Sequence, residues 1–394
     1  MTVYTPSSLI LTDGEPERRL YSKKIQSDQI HQYDSKTLLF DAVRVDGRND
    51  IGLFGPPLLN FRKNPGLPRI ECAGERLRYR VKSTAMGRFT EWSLEKRKTN
   101  VSDSSILDFR FKDIPDRRIR INRVKPFPAG SKVLTAIQKN NEIRWIKDWF
   151  RHYKERFGVD YLVLYDNGSD DFDVLSAELP ENTILVDWRF PYGPTFSHDN
   201  KFAQLGALNH CRCVFAPFSY IFNFDIDELL VLKKYGIDEM LEKRRVVYFS
   251  SFNVPNQKDL TQDFSFNSYS QREAVPRYYA RKFVYHAPSS TGILPHYVQT
   301  QRFRPFAYLI LLLRKARNTM IVKEGHKNFK VRLLSALIRL TTSNSREPSL
   351  SVETAYFLHF LGISTHWKDL NYRRTYCPEC IDDPFLLELK GEST

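Results

Sequence analysis

At 394 residues with 41% hydrophobic content, the chain is long enough for two domains with cores of their own, which excludes a disordered or fibrous sequence. A formal net charge of +14 asks for an anionic partner: nucleic acid, an acidic membrane face, a nucleotide-sugar or an acidic glycan. No run reaches the roughly 18 apolar residues of a membrane span, no basic-then-apolar leader opens the chain, and five cysteines do not make a disulfide framework, so a cytoplasmic protein with reduced thiols is expected.

Residues 1–30 are polar and unpatterned and read as a loose arm. From 31 to 128, short strand-like runs (Leu38 to Val45, Leu77 to Lys82, Ile119 to Val124) alternate with turn signals such as Asp46-Gly47 and Pro56-Pro57. That spacing predicts a small all-β, sandwich-like module, for which glycan binding is one role. The pattern changes at 129. Val133 to Ile137 reads as a buried strand, and Glu142 to Phe157 as a helix with Ile143, Ile146, Trp149, Phe150 and Tyr153 on one face. Strands follow at Tyr161 to Tyr165 and Thr183 to Val186, then a helix at Asn200 to Cys213 and a strand at Tyr220 to Phe224. This alternation predicts an α/β fold over 129–300, a mostly parallel sheet with helices on both faces. Residues 301–394 read as a basic helical segment, densest over 301–340, with closing elements of the same domain. That segment suits either a peripheral helix on an anionic leaflet at the inner membrane face or a layer whose Lys and Arg snorkel along a core.

Ligands of parallel sheets bind beyond the carboxyl ends of the strands. Two acidic loops fall there: Asp166-Asn167-Gly168-Ser169-Asp170-Asp171, and Asp225-Ile226-Asp227-Glu228 after an aromatic, apolar strand. Asp225 and Asp227, two apart in extended backbone, can point the same way. Paired acids at the end of a buried strand call for a cation, and a divalent metal carrying a diphosphate fits; a solvated strand end is the plain alternative.

Several motifs then occur in order: Asn141-Glu142-Ile143-Arg144-Trp145 after a strand, Gly158-Val159-Asp160, Tyr165-Asp166-Asn167-Gly168, Ala207-Leu208-Asn209-His210-Cys211, and Phe224-Asp225-Ile226-Asp227-Glu228. This order resembles the nucleotide-sugar glycosyltransferases of the GT-A (Rossmann-related) fold, and most of all glycosyltransferase family 92 and the related family 2-like group. The resemblance covers about 131–300. It implies Glu142 and Asp166 holding the nucleoside, with Asn167 shaping the loop. It implies Asp225 and Asp227 as ligands of Mn²⁺ or Mg²⁺, and His359 as a late histidine closing the metal site; His296 is a weaker version of the same idea. It further implies a UDP-hexose donor, galactose first, a glycan or other hydroxyl acceptor, and inversion, which needs an acidic base. Asp259, Asp263 and Glu273 follow the metal motif, and Asp263 and Glu273 are the candidate bases. Cys377 and Cys380 with Cys211 and Cys213 could supply a zinc, but their spacing favours independent thiols. The competing reading is a non-catalytic nucleic-acid- or glycan-binding protein; no nucleic-acid motif supports it.

Overall fold

The computed structural model describes residues 1–21, 27–95, 105–194, 200–255, 265–300, Leu333, 349–363 and 379–391. The basic segment 301–340 therefore lies outside the described residues, apart from Leu333, as do Asp259, Asp263 and Cys377.

A nine-stranded sheet organises the chain. Its strands are β1 (Thr2–Tyr4), β2 (Lys132–Gln138), β3 (Tyr161–Asp166), β4 (Thr183–Asp187), β5 (Tyr220–Asn223), β6 (Glu228–Leu232), β7 (Val246–Val254), β8 (Arg277–His286) and β9 (Ala355–Phe360). They lie in the order β1-β4-β3-β2-β5-β8-β7-β9-β6. The first five are mutually parallel; β8 runs antiparallel to both β5 and β7, β9 parallel to β7, and β6 antiparallel to β9. Among the described residues, helices are α1 (Ile143–Phe157), α2 (Phe172–Glu178), α3 (Phe202–Val214), α4 (Ile237–Lys243) and α5 (Pro384–Gly391). None among the described residues is long and apolar enough to cross a membrane.

Strand side chains alternate between two cores. Leu134, Leu162, Leu164 and Phe222 pack with Trp145, Trp149 and Tyr153 of α1. Their neighbours Val133, Val163, Tyr165 and Ile221 pack with Phe202, Leu205 and Cys211 of α3 on the other face. Because both faces are buried, these strands read as continuous apolar runs rather than alternating ones.

Between β1 and β2 lie small β sheets. A five-stranded sheet (122–124, 41–45, 51–55, 89–95, 78–84) faces a four-stranded one (117–120, 106–110, 69–72, 75–76). Ala42, Leu53 and Trp92 from the first meet Ile70, Leu107 and Phe109 from the second. The opposite face of the five-stranded sheet is also covered: Val43, Val45, Phe54 and Phe89 join the α3 core. The β region is thus packed onto the large sheet's α3 side.

The first residues differ from the loose arm expected of 1–30. Thr2–Tyr4 pairs in parallel with β4 and extends the sheet. Arg18 is buried, its Nε donating to the Pro57 carbonyl at 2.8 Å and its Nη1 to that of Asp34 at 2.5 Å. A three-residue strand shows no period, and one buried arginine satisfied by carbonyls looks polar in sequence, so neither announces order.

Candidate functional site

The two acidic loops follow β3 and β5, which flank β2, so both open on one rim of the parallel strands. Their chemistry is different. Asp166 is fully buried. Its Oδ2 accepts the N–H groups of Gly168 (3.0 Å) and Ser169 (2.8 Å), and its Oδ1 accepts Gln138 Nε2 and the Ser169 hydroxyl. Burial raises its pKa, and the Ser169 and Gly168 bonds oppose that. Asn167 donates to the carbonyls of Trp188 (2.7 Å) and Phe190 (2.8 Å). Asn140 and Asp170 close the corner reciprocally, N–H of Asp170 to Asn140 Oδ1 at 2.9 Å and Asn140 Nδ2 to Asp170 Oδ2 at 3.1 Å. Asp166 and Asn167, expected around a nucleoside, are thus turned inward as the fasteners of the rim. A carboxylate committed to four internal donors has little left for a ligand. Glu142, just before α1, is about half exposed and paired with Arg144 Nε at 2.6 Å, so it does present its carboxylate outward.

The second loop gathers charge. The chain leaves β5 at Asn223, turns through Phe224 to Asp227 and enters β6 at Glu228. Glu228 is buried; its Oε2 accepts the Asp225 N–H at 2.8 Å, and its own N–H donates to the Asp225 carbonyl at 3.0 Å. Lys282, buried on β8, reaches Asp225 Oδ2 at 2.6 Å and Glu228 Oε2 at 3.1 Å. On the other side, His359 Nε2 stands 3.3 Å from Asp227 Oδ2, placed there by the β6–β9 register that pairs Glu228 with His359. Three carboxylates share the corner with one lysine, which meets Asp225 and Glu228. Burial, with the charges of Asp225 and Asp227, pushes Glu228 up to about 8 although Lys282 opposes the shift. Burial would discharge Lys282, but Asp225 and Glu228 hold its pKa above the ordinary value. Tyr192 lies near enough that burial and the Asp225 charge both raise its pKa, and Lys201 Nζ sits 5.4 Å over its ring.

Among the described residues one group could hold a metal: ligating atoms of Asp227, Glu228 and His359 lie within 4.8 Å of one another. The set fits Mn²⁺ or Mg²⁺. Two carboxylates and one imidazole suit a hard-to-borderline cation. The three expected ligands are therefore divided. Asp227 and His359 come together; Asp225 is turned to Lys282, and Glu228 takes the third place. His296 is exposed, bonded through Nδ1 to the Arg281 carbonyl at 3.1 Å, and outside the group. Cys211 and Cys213 are buried along α3, their thiols pushed up to about 12 by burial, which does not suit a thiolate zinc site. Glu273 is held by Arg277, whose Nε reaches Oε2 at 3.0 Å and Nη2 reaches Oε1 at 2.9 Å, so as a base it would have to compete with a guanidinium fork.

A family description of glycosyltransferase family 92 matches residues 135–321, which takes in the end of β2, both acidic loops, Lys282 and Glu273. Residues 135–321 are thus similar to glycosyltransferase family 92. That match supports glycosyltransferase activity, and with it a sugar donor and a glycan acceptor. No curated protein matches the chain. In the matched stretch, Lys282 is the site residue that sequence reasoning passed over. Its signal was a lysine set among Phe283, Val284 and Tyr285 in a strand, since a buried lysine needs an anionic partner.

Proposed function

We propose that this transferase is metal-dependent, has the GT-A fold, and moves a hexose, galactose first among candidates, from a UDP-sugar to a glycan hydroxyl with inversion. The observation that carries the reading is the Asp227–Glu228–His359 group beyond the carboxyl end of β5, where parallel sheets receive ligands. Mn²⁺ or Mg²⁺ held there would neutralise a leaving diphosphate. Lys282 fixes Asp225, leaving that carboxylate's half-exposed side for a donor hydroxyl. Glu142, which presents its carboxylate outward on the same rim, would meet the nucleoside. Lys201 with Tyr192 adds a cationic, aromatic wall near Asp225 that suits an anionic, planar ligand.

Melting of the purified chain with UDP, with and without Mn²⁺, tests this. A ligand bound at 100 times its Kd stabilises the native state by about 2.7 kcal/mol. A Mn²⁺-dependent rise that disappears in Asp225→Ala/Asp227→Ala is expected; no rise with any nucleoside diphosphate would overturn the reading.

A further inference from the structure

Behind His359 runs a chain of polar contacts that ends at Glu273. Asn253 on β7 lies opposite His359 in the β7–β9 register, and its Oδ1 is 3.3 Å from His359 Nδ1. Asn253 Nδ2 donates to Glu273 Oε1 at 3.2 Å, and Arg277 grips the same carboxylate with two nitrogens. Asn253 is buried; the side chains of Glu273 and His359 are only 18% and 21% exposed.

The chemistry of these groups fixes a direction. An ionised carboxylate only accepts, so the NH₂ end of Asn253 must face Glu273. Its oxygen then faces His359 and can only accept, so His359 carries its proton on Nδ1. Nε2 then faces Asp227 Oδ2 at 3.3 Å, and in the neutral ring its lone pair is the atom that a cation at the site would take. Turned the other way, the amide would set its oxygen against Glu273 and let Nε2 keep a proton, blocking coordination.

We propose that Glu273 is a positioning residue for the cation site rather than the base: through Asn253 it sets the His359 tautomer that can coordinate through Nε2. This rests on the cation-site reading above. Outer partners of metal-bound histidines act in this way, typically changing metal affinity by about 10- to 100-fold.

Mn²⁺ binding to the full chain, measured by isothermal titration without donor, provides the test. Wild type is compared with Glu273→Leu, Glu273→Gln and Asn253→Leu, and melting in EDTA checks that each variant folds. Glutamine keeps an oxygen for Asn253 but cannot act as a base; leucine keeps neither function. The expected result is affinity lowered roughly tenfold or more in Glu273→Leu and Asn253→Leu, and near wild type in Glu273→Gln. Folded leucine variants that bind Mn²⁺ as wild type does would overturn the relay and return Glu273 to the base candidates. A wild type that binds no Mn²⁺ would overturn the cation-site reading itself, a result distinct from the first. Should Glu273→Leu fail to fold, Asn253→Leu decides by the same measure.

Discussion

The corners after β3 and β5 look alike in sequence, each a strand running into several acids, and the structure makes them opposites. At Asp166 four donors of the protein itself meet the carboxylate, and the acid serves as a knot. At Asp225–Glu228 one lysine meets Asp225 and Glu228, and a histidine meets Asp227. A buried acid met by four protein donors is architecture; a corner that gathers three carboxylates, a lysine and a histidine is where a ligand would bind. Mutations should separate the two roles.

The largest effect belongs to Asp227→Ala. Losing a metal ligand is expected to lower turnover by roughly a thousandfold, about 4 kcal/mol of transition-state stabilisation. Melting in EDTA should stay level or rise, because the charge beside Glu228 is relieved. Comparable loss of stability and activity would erase the contrast between the corners. Lys282→Met leaves Asp225 and Glu228 without their buried cation and should cost about 3 kcal/mol in denaturant unfolding without metal. A neutral result would mean that the lysine is not what holds the corner. Asp166→Ala strands donors of Gln138, Gly168 and Ser169 and should cost roughly 2–3 kcal/mol of stability. Mn²⁺ affinity of the folded fraction should be unchanged; a parallel loss would make Asp166 part of the ligand site.

The smallest effect lies behind the second corner. His152 on α1, buried, donates from Nε2 to the Leu230 carbonyl at 2.9 Å, and Tyr153 donates to that of Glu228 at 3.0 Å, so α1 backs β6. Burial lowers the His152 pKa to about 3. The unfolded chain therefore binds the proton first as pH falls below about 6.5, and stability drops from there toward pH 3 by up to about 1.4 kcal/mol per pH unit. Between pH 7 and 5 the wild type should lose about 2 kcal/mol more than His152→Gln in urea unfolding. Equal losses would mean that His152 protonates in the folded state.

Much of the scaffold was legible. The apolar face of α1 and the unbroken apolar runs of β2, β3 and β5 are strong local signals, and these elements stand within two residues of their expected bounds. The antiparallel half of the sheet was not, because β6, β7, β8 and β9 are joined through pairings distant in sequence. The same applies to the site. Asp225 and Asp227 stood out locally, but the partners of the corner, Lys282, Asn253 and Glu273, arrive only through sheet register. The Asp166 corner carried an unused clue: Asp-Asn-Gly-Ser is the signature of an acid that caps its own turn.

The most direct test is pulsed electron paramagnetic resonance of Mn²⁺ bound to the chain with UDP and ¹⁵N-labelled histidine. A single histidine nitrogen coupled to the Mn²⁺ and lost in His359→Gln is the result this account predicts. A bound Mn²⁺ with no histidine coupling would contradict the Asp227–Glu228–His359 site.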